Sequence, residues 1–265
     1  ADLYSSFSSY IRLVIMIFFI GLFIVLNEFS ISNINIQIID QILTEYKNIS
    51  ILFTLICLMI SVNGFNFIDG NHGLMLGTSL IILINFLLNI NLIESTEIIV
   101  LIESLLIASI ILFLFNFITG RIIAGDAGSY FVGILIGSIA IYLKNNDLLS
   151  SFHIACILFY PTTEVIITFI RRLFILKTNP FFPDSLHLHS LIYSLLVRNI
   201  INLGPEFKNR LCSMIILSLQ IMATLFLFLY GSKIGFNFTY FIFVTVYIII
   251  YTIFLYLEFK NKINY

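Results

Sequence analysis

The chain has 265 residues, 60% of them hydrophobic and 10% charged, with a net charge of −1 and a mean hydropathy of +1.09. A soluble domain carries about 25% charged residues. This composition therefore excludes a water-soluble globule and points to lipid as the solvent. The balanced charge gives no basic signal for nucleic acid, which is not expected as a partner.

A bilayer core about 30 Å thick takes about 20 apolar residues per helix. In chain order, such runs cover residues 10–27, 49–67, 73–90, 98–117, 129–143, 149–169, 211–230 and 236–257. Polar stretches punctuate them: "NEFSISNINIQIIDQ", "NINLIESTE", "TGRIIAGDAGS", "KNNDL" and "YGSKIG". Residues 171–210 form the longest segment without a span and read as a basic, histidine-bearing loop. The expected fold is all-α: a polytopic bundle of about eight transmembrane helices, one membrane domain over residues 1–265. The first run lacks a basic n-region and an Ala-x-Ala exit, so it does not read as a cleavable signal. The opening "ADLYSSFSSYIRL" lacks Met and suggests that the true N-terminus lies upstream. Cys57, Cys156 and Cys212 each sit in an apolar run and read as core residues.

Eight spans put both termini on one side, and the basic residues then sort unevenly. Arg12, Arg121, Arg171, Arg172, Lys177, Arg198, Lys208, Arg210, Lys260 and Lys262 fall with the termini; Lys47, Lys144 and Lys233 fall opposite. The positive-inside rule makes the richer side cytoplasmic. Three polar segments meet that side: "NGFNFIDGNHG" (63–73), "FNFITGRIIAGDAGS" (115–129) and "RRLFILKTNPFFPDSLHLHS" (171–190).

Acids at the edge of a bundle are costly unless paired, hydrated or bound to metal. Asp69 and Asp126 are such acids, each beside glycines. Carboxylate and amide oxygens suit Mg²⁺, which keeps water and substrate phosphates as its other ligands. Gly70, Gly73, Gly125 and Gly128 allow backbone to approach a ligand. Asp126 precedes a predicted helix whose free N–H groups favour an anion. A helix N-cap is the plain alternative for a lone Asp, but Asn63, Asn66 and Asp69 on the same membrane side favour a site.

In the third segment, the guanidinium forks of Arg171 and Arg172 suit phosphate. Alone they would read as a positive-inside anchor. "PDSLHLHS" adds His187 and His189, alternating on either side of Leu188, with Asp184 nearby. Zinc would want more ligands than are spaced suitably here, so phosphate or diphosphate contact is the preferred role. Glu164 falls inside a span, about two turns before Arg171. A structural ion pair and a role in the site are both open for it. His153 lies near the opposite face and is not expected to act. The residues thus describe a cytoplasm-facing magnesium and phosphate site, suited to joining a soluble phosphorylated donor to a lipid phosphate.

These segments resemble a known family. "NGFNFIDGNHGL" is similar to the Asn-x-x-Asn-x-x-Asp-Gly-x-(Asp/Asn)-Gly-Leu motif of polyprenyl-phosphate N-acetylhexosamine-1-phosphate transferases, the glycosyltransferase family 4 enzymes. "FNFITGRIIAGDAGSYFVG" resembles their Gly-Asp-x-Gly-Ser motif, and "NPFFPDSLHLHSLIY" their Asp-x-x-His-x-His loop. The resemblance implies transfer of a sugar 1-phosphate from a UDP-sugar to undecaprenyl or another polyprenyl phosphate. UMP leaves, Mg²⁺ (or Mn²⁺) is the cofactor, and the site lies on the cytoplasmic face of a bacterial inner membrane. It leaves room for a homodimer. Carried over, Asp126 is a metal ligand, and Asn66 is a second one or a diphosphate contact. Asp69 positions or activates the lipid phosphate. Asn63, Gly125, Arg171, Arg172, Asp184, His187 and His189 contact the substrates.

Two departures stand out. Many relatives carry a second acid where this chain has His72. Relatives also carry an Asp-Asp pair before a span whose start resembles "YSSFSSYIRLVI"; Asp2 matches the second Asp as a catalytic residue, and the earliest spans would precede this chain. "HLHS" lacks the three adjacent histidines of the peptidoglycan branch, which favours the N-acetylhexosamine branch. A transporter with a polar conduction path and a non-catalytic relative are the competing readings.

Overall fold

The computed structural model describes residues 9–89, 93, 95–120, 124–179, 184–200 and 202–263. Among them the regular structure is helical, with no strand. In chain order the helices are α1 (Ser9–Leu26), α2 (Gln37–Glu45), α3 (Lys47–Ile68), α4 (Leu74–Leu88), α5 (Thr96–Thr119), α6 (Gly125–Asn145), α7 (Ser151–Ile157) and α8 (Phe159–Ile170). A π-helical turn (Arg171–Ile175) extends α8; α9 (Leu188–Asn199), α10 (Pro205–Ile234) and α11 (Phe236–Ile263) follow.

Each of the eight expected apolar runs is helical, but the count of spans is smaller. Five of the described helices, α3, α5, α6, α10 and α11, are long and apolar enough to cross a membrane. A sixth span results if α7 and α8 are taken together across their 85° bend. The bend falls where the α7 C-cap meets Pro161, in the first turn of α8, a position proline tolerates. α1 and α4 are apolar but shorter. At 1.5 Å per residue, the 15 residues of α4 reach about 22 Å, less than a bilayer core. Most of α4 is enclosed by its neighbours rather than turned outward.

α3 is the axis of the site half. It packs on α6 where Ser61 donates to the Gly133 carbonyl (2.8 Å), and on α8 where Gly64 lies against the Pro161 carbonyl. A large core cluster joins α3, α4, α6, α8, α9, α10 and α11, and a smaller one seats α1 against α3 and α6. The outward faces stay apolar: Ile107, Ile111, Leu114 and Ile118 on α5 and Met222, Leu225 and Phe228 on α10 are exposed. Exposed apolar area this large is stable in lipid rather than water, and the chain is a polytopic membrane protein.

The segment 171–210, expected to be a loop, is largely helical among its described residues. The π-helical turn, α9 and the start of α10 supply its order, and α2 likewise shapes the polar stretch after α1. Lys47 meets Glu28 and Lys144 meets Asp147 at one end of the bundle. Arg12, Arg171, Arg172 and Arg198 find their carboxylates at the other.

Candidate functional site

At that second end, two polar clusters lie side by side. The first joins the end of α3 to the start of α6. Gly125, with φ +62°, turns the chain into α6, so Asp126 stands inside its first turn rather than before it. The Asn66 amide donates to Asp126 Oδ1 (2.9 Å) and to Ser129 Oγ (3.1 Å). Asp69 caps the end of α3 and accepts a hydrogen bond from the Gly125 N–H. Its other oxygen, Oδ2, is buried without a hydrogen-bond partner among the described residues. Burial pushes the Asp69 carboxyl up to about 7; the Gly125 N–H opposes this, and the charge of Asp126 adds to it. Arg12, from α1, forms an ion pair with Asp126.

This donor set fits Mg²⁺. Asp69, Asp126 and Asn66 offer hard oxygen ligands, and Asp69 brings an unpartnered buried oxygen. Among the described residues no group of three His, Cys, Asp or Glu side chains is arranged to hold a metal ion by itself. A cation here would therefore take its remaining ligands from water and substrate phosphates.

The second cluster is built on the π-helical turn and α9. Arg171 sends one fork to both oxygens of Asp184 (2.8 and 2.7 Å), and Arg172 Nε adds a third bond (2.8 Å). Burial raises the Asp184 carboxyl, but the two guanidiniums and the Leu186 N–H outweigh it and hold the group well below the usual carboxylate range. Arg171, only 2% exposed, also reaches the Leu186 carbonyl and the Tyr251 hydroxyl. The Arg172 guanidinium lies over Phe67, 5.5 Å from its centroid, which ties this cluster to the end of α3.

The histidines do not point apart as their alternation suggests. His187 is the extended N-cap of α9, and the first helical turn swings His189 alongside it. Their rings stack at 5.6 Å with planes 3° apart, and Phe67 covers His187 at 5.1 Å. A Cβ on Gly70 would sit 2.2 Å from His189 Nε2, so only glycine lets the loop after α3 approach this ring. Burial, helped by the His187 charge, pulls His189 down to about 4, with Glu164 opposing.

The structure thus unites Asn66, Asp69, Gly125 and Asp126 in one cluster and Arg171, Arg172, Asp184, His187 and His189 in the next. Asn63 donates to the Met59 carbonyl within α3 (2.7 Å). Asp2 lies outside the described residues, as does Arg121. His72 donates its backbone N–H to Asn209 Oδ1 (2.7 Å), and its ring meets Glu206 at 3.0 Å, both on α10. An acid therefore does stand beside position 72, but it comes from another helix. Sequence reasoning missed Arg12, Glu206, Ser129 and Asn116, which accepts from the Gly73 N–H. It also missed Tyr247 and Tyr251. Asn116 and Ser129, both inside "FNFITGRIIAGDAGS", carried a local signal; the others become neighbours through packing.

A family model described as glycosyl transferase family 4 matches residues 2–144, just over half of the chain. No curated protein and no solved structure matches. The match holds the first cluster, whereas the second lies beyond it and is joined to it by Phe67 and Gly70.

Proposed function

The chain belongs to glycosyl transferase family 4, and from that premise we propose that it transfers a sugar 1-phosphate, an N-acetylhexosamine 1-phosphate, from a UDP-sugar to polyprenyl phosphate. UMP is released, and the lipid diphosphate starts a cell-envelope polysaccharide. The reaction sits on the cytoplasmic face of a bacterial inner membrane. The observation that carries this reading is the convergence of Asn66 and Asp69, at the end of α3, with Asp126 in the first turn of α6, one Asp69 oxygen being buried and unpartnered among the described residues.

In this reading an oxygen of the lipid phosphate attacks the sugar-bearing phosphorus of the donor. A new P–O bond forms, the bond to the bridging oxygen breaks, and that oxygen leaves on UMP. Asp126 and Asn66 would hold Mg²⁺, which when bound neutralises diphosphate charge. Asp69 is poised near neutral pH to take a proton from the attacking phosphate. Arg171, Arg172, Asp184 and the stacked histidines form a preorganised wall for the donor phosphates. Asn63 and Gly125 keep the substrate contacts that their place in the motifs implies.

The test is transfer by the complete protein in nanodiscs, with undecaprenyl phosphate and a panel of UDP-N-acetylhexosamines. Transfer is expected to need Mg²⁺ or Mn²⁺, to stop with chelator, and to fall at least 100-fold in Asp126→Asn. Wild type inert with every donor and indistinguishable from Asp126→Asn would sink the reading and leave a non-catalytic relative. Flux of an intact UDP-sugar across proteoliposomes without transfer would favour a transporter.

A further inference from the structure

Glu164 is the most deeply buried acid near the two clusters, 1% exposed and half-way along α8. A carboxylate there persists only with full compensation. It has three donors: Oε1 takes the His187 ring Nδ1 at 2.9 Å and the Leu188 N–H at 3.3 Å, and Oε2 takes the Tyr247 hydroxyl. These donors come from the start of α9 and from α11. The His187 ring is also held on its faces, by Phe67 at 5.1 Å and by His189 at 5.6 Å. Its remaining edge, Nε2, lies 3.9 Å from Asp184 Oδ1, too far for a hydrogen bond and on the side of the two arginines.

We propose that Glu164 is a positioning residue: it grips Nδ1 of His187 and so presents Nε2 to a phosphate oxygen of the nucleotide donor. The inference rests on the transferase reading above and names a residue that the motifs do not. The geometry is that of a buried carboxylate orienting an imidazole: Glu164 accepts Nδ1–H, and Nε2–H donates to the phosphate from the imidazolium whose charge the carboxylate balances. The Thr168 hydroxyl, 3.5 Å from the same Nδ1, closes the pocket around that nitrogen. A carboxylate that only stapled α8 to α9 and α11 would have no need to take a ring nitrogen whose far edge faces the arginine cluster.

A double-mutant cycle separates the two roles. In the complete protein in nanodiscs, Glu164→Gln and His187→Gln are made singly and together. UDP affinity is measured by calorimetry, donor KM and kcat by turnover, and folding by thermal melting. Each single variant is expected to weaken UDP and raise the donor KM by about tenfold, with kcat changing less. The double variant is expected to be no worse than His187→Gln, because Glu164 acts through that ring. Glu164→Gln binding UDP like wild type, or losses that multiply in the double variant, would overturn the proposal. Where Glu164→Gln fails to fold, Tyr247→Phe takes its place in the cycle, with about a threefold loss that vanishes in the His187→Gln background. A Tyr247→Phe loss that survives there overturns it too. Wild type that neither binds UDP nor moves sugar phosphate sinks the transferase reading and this inference with it; multiplying losses in an active enzyme sink this inference alone.

Discussion

At the residue scale, Asp69 gives the sharpest consequence. Its carboxyl is raised from an ordinary 3.8 to about 7 in the folded chain, by burial first. The folded state therefore holds more proton than the unfolded one between those values, and stability falls as pH rises through that window. The penalty is complete above about pH 8 and on the order of 4 kcal/mol. Asp69→Asn carries no such charge. Without divalent metal, its melting temperature should pull ahead of wild type between pH 4 and 7 and keep a constant lead above pH 8. Transfer by the same variant should be lost. A lead that shrinks with rising pH would show that Asp69 is not charged in a buried place. Asp69 and Asp126 were legible as an acid pair because few acids stand beside glycines in so apolar a chain. Their electrostatics were not: the Arg12 partner of Asp126 sits 114 residues away, and nothing local in "YIRLV" announces it.

At the element scale, the site depends on how closely three helices cross. A Cβ on Gly133 of α6 would lie 2.7 Å from the Val62 Cα of α3, and one on Gly64 would lie 2.7 Å from the Pro161 carbonyl of α8. Both obstacles are backbone, so no side chain can turn aside. Gly133→Ala should cost about 1–3 kcal/mol of stability by forcing the helices apart. It should lower transfer further than stability alone explains, because the same displacement separates Asn66 from Asp126. Gly21→Ala on α1 meets nothing within 4 Å and serves as the neutral control. Thermal melts and initial rates on the two variants check this; equal behaviour would show that the crossing is not tight. Existence of the elements was readable from hydropathy, since each apolar run became a helix. Bends and short helices were not. Pro161 hinted at the break in the run 149–169, but not at its 85° angle, beyond which α8 packs on α3 and α11. α9 hid inside a polar segment because its apolar positions, Leu188, Leu191, Ile192 and Leu195, face the bundle rather than lipid.

For the whole molecule, the distribution of charge carries an orientation. One end pairs its few lysines with nearby acids, as Lys47 does with Glu28 and Lys144 with Asp147. The other gathers Arg12, Arg171, Arg172 and Arg198 around the two clusters. The positive-inside rule would leave the basic end in the cytoplasm, where UDP-sugars would be met. Single cysteines at exposed positions of the two ends, Asn48→Cys before the main body of α3 and Asn199→Cys at the end of α9, test this directly. A membrane-impermeant maleimide applied to intact spheroplasts should label the first and spare the second until the membrane is opened. Of the native cysteines, Cys156 and Cys212 are buried and Cys57 is half-buried within α3. The reverse pattern would place the carboxylate pair outside, away from any nucleotide donor. It would remove the transferase reading even with every side chain of the site intact, because the chemistry requires the two clusters and the soluble substrate on one side of the membrane.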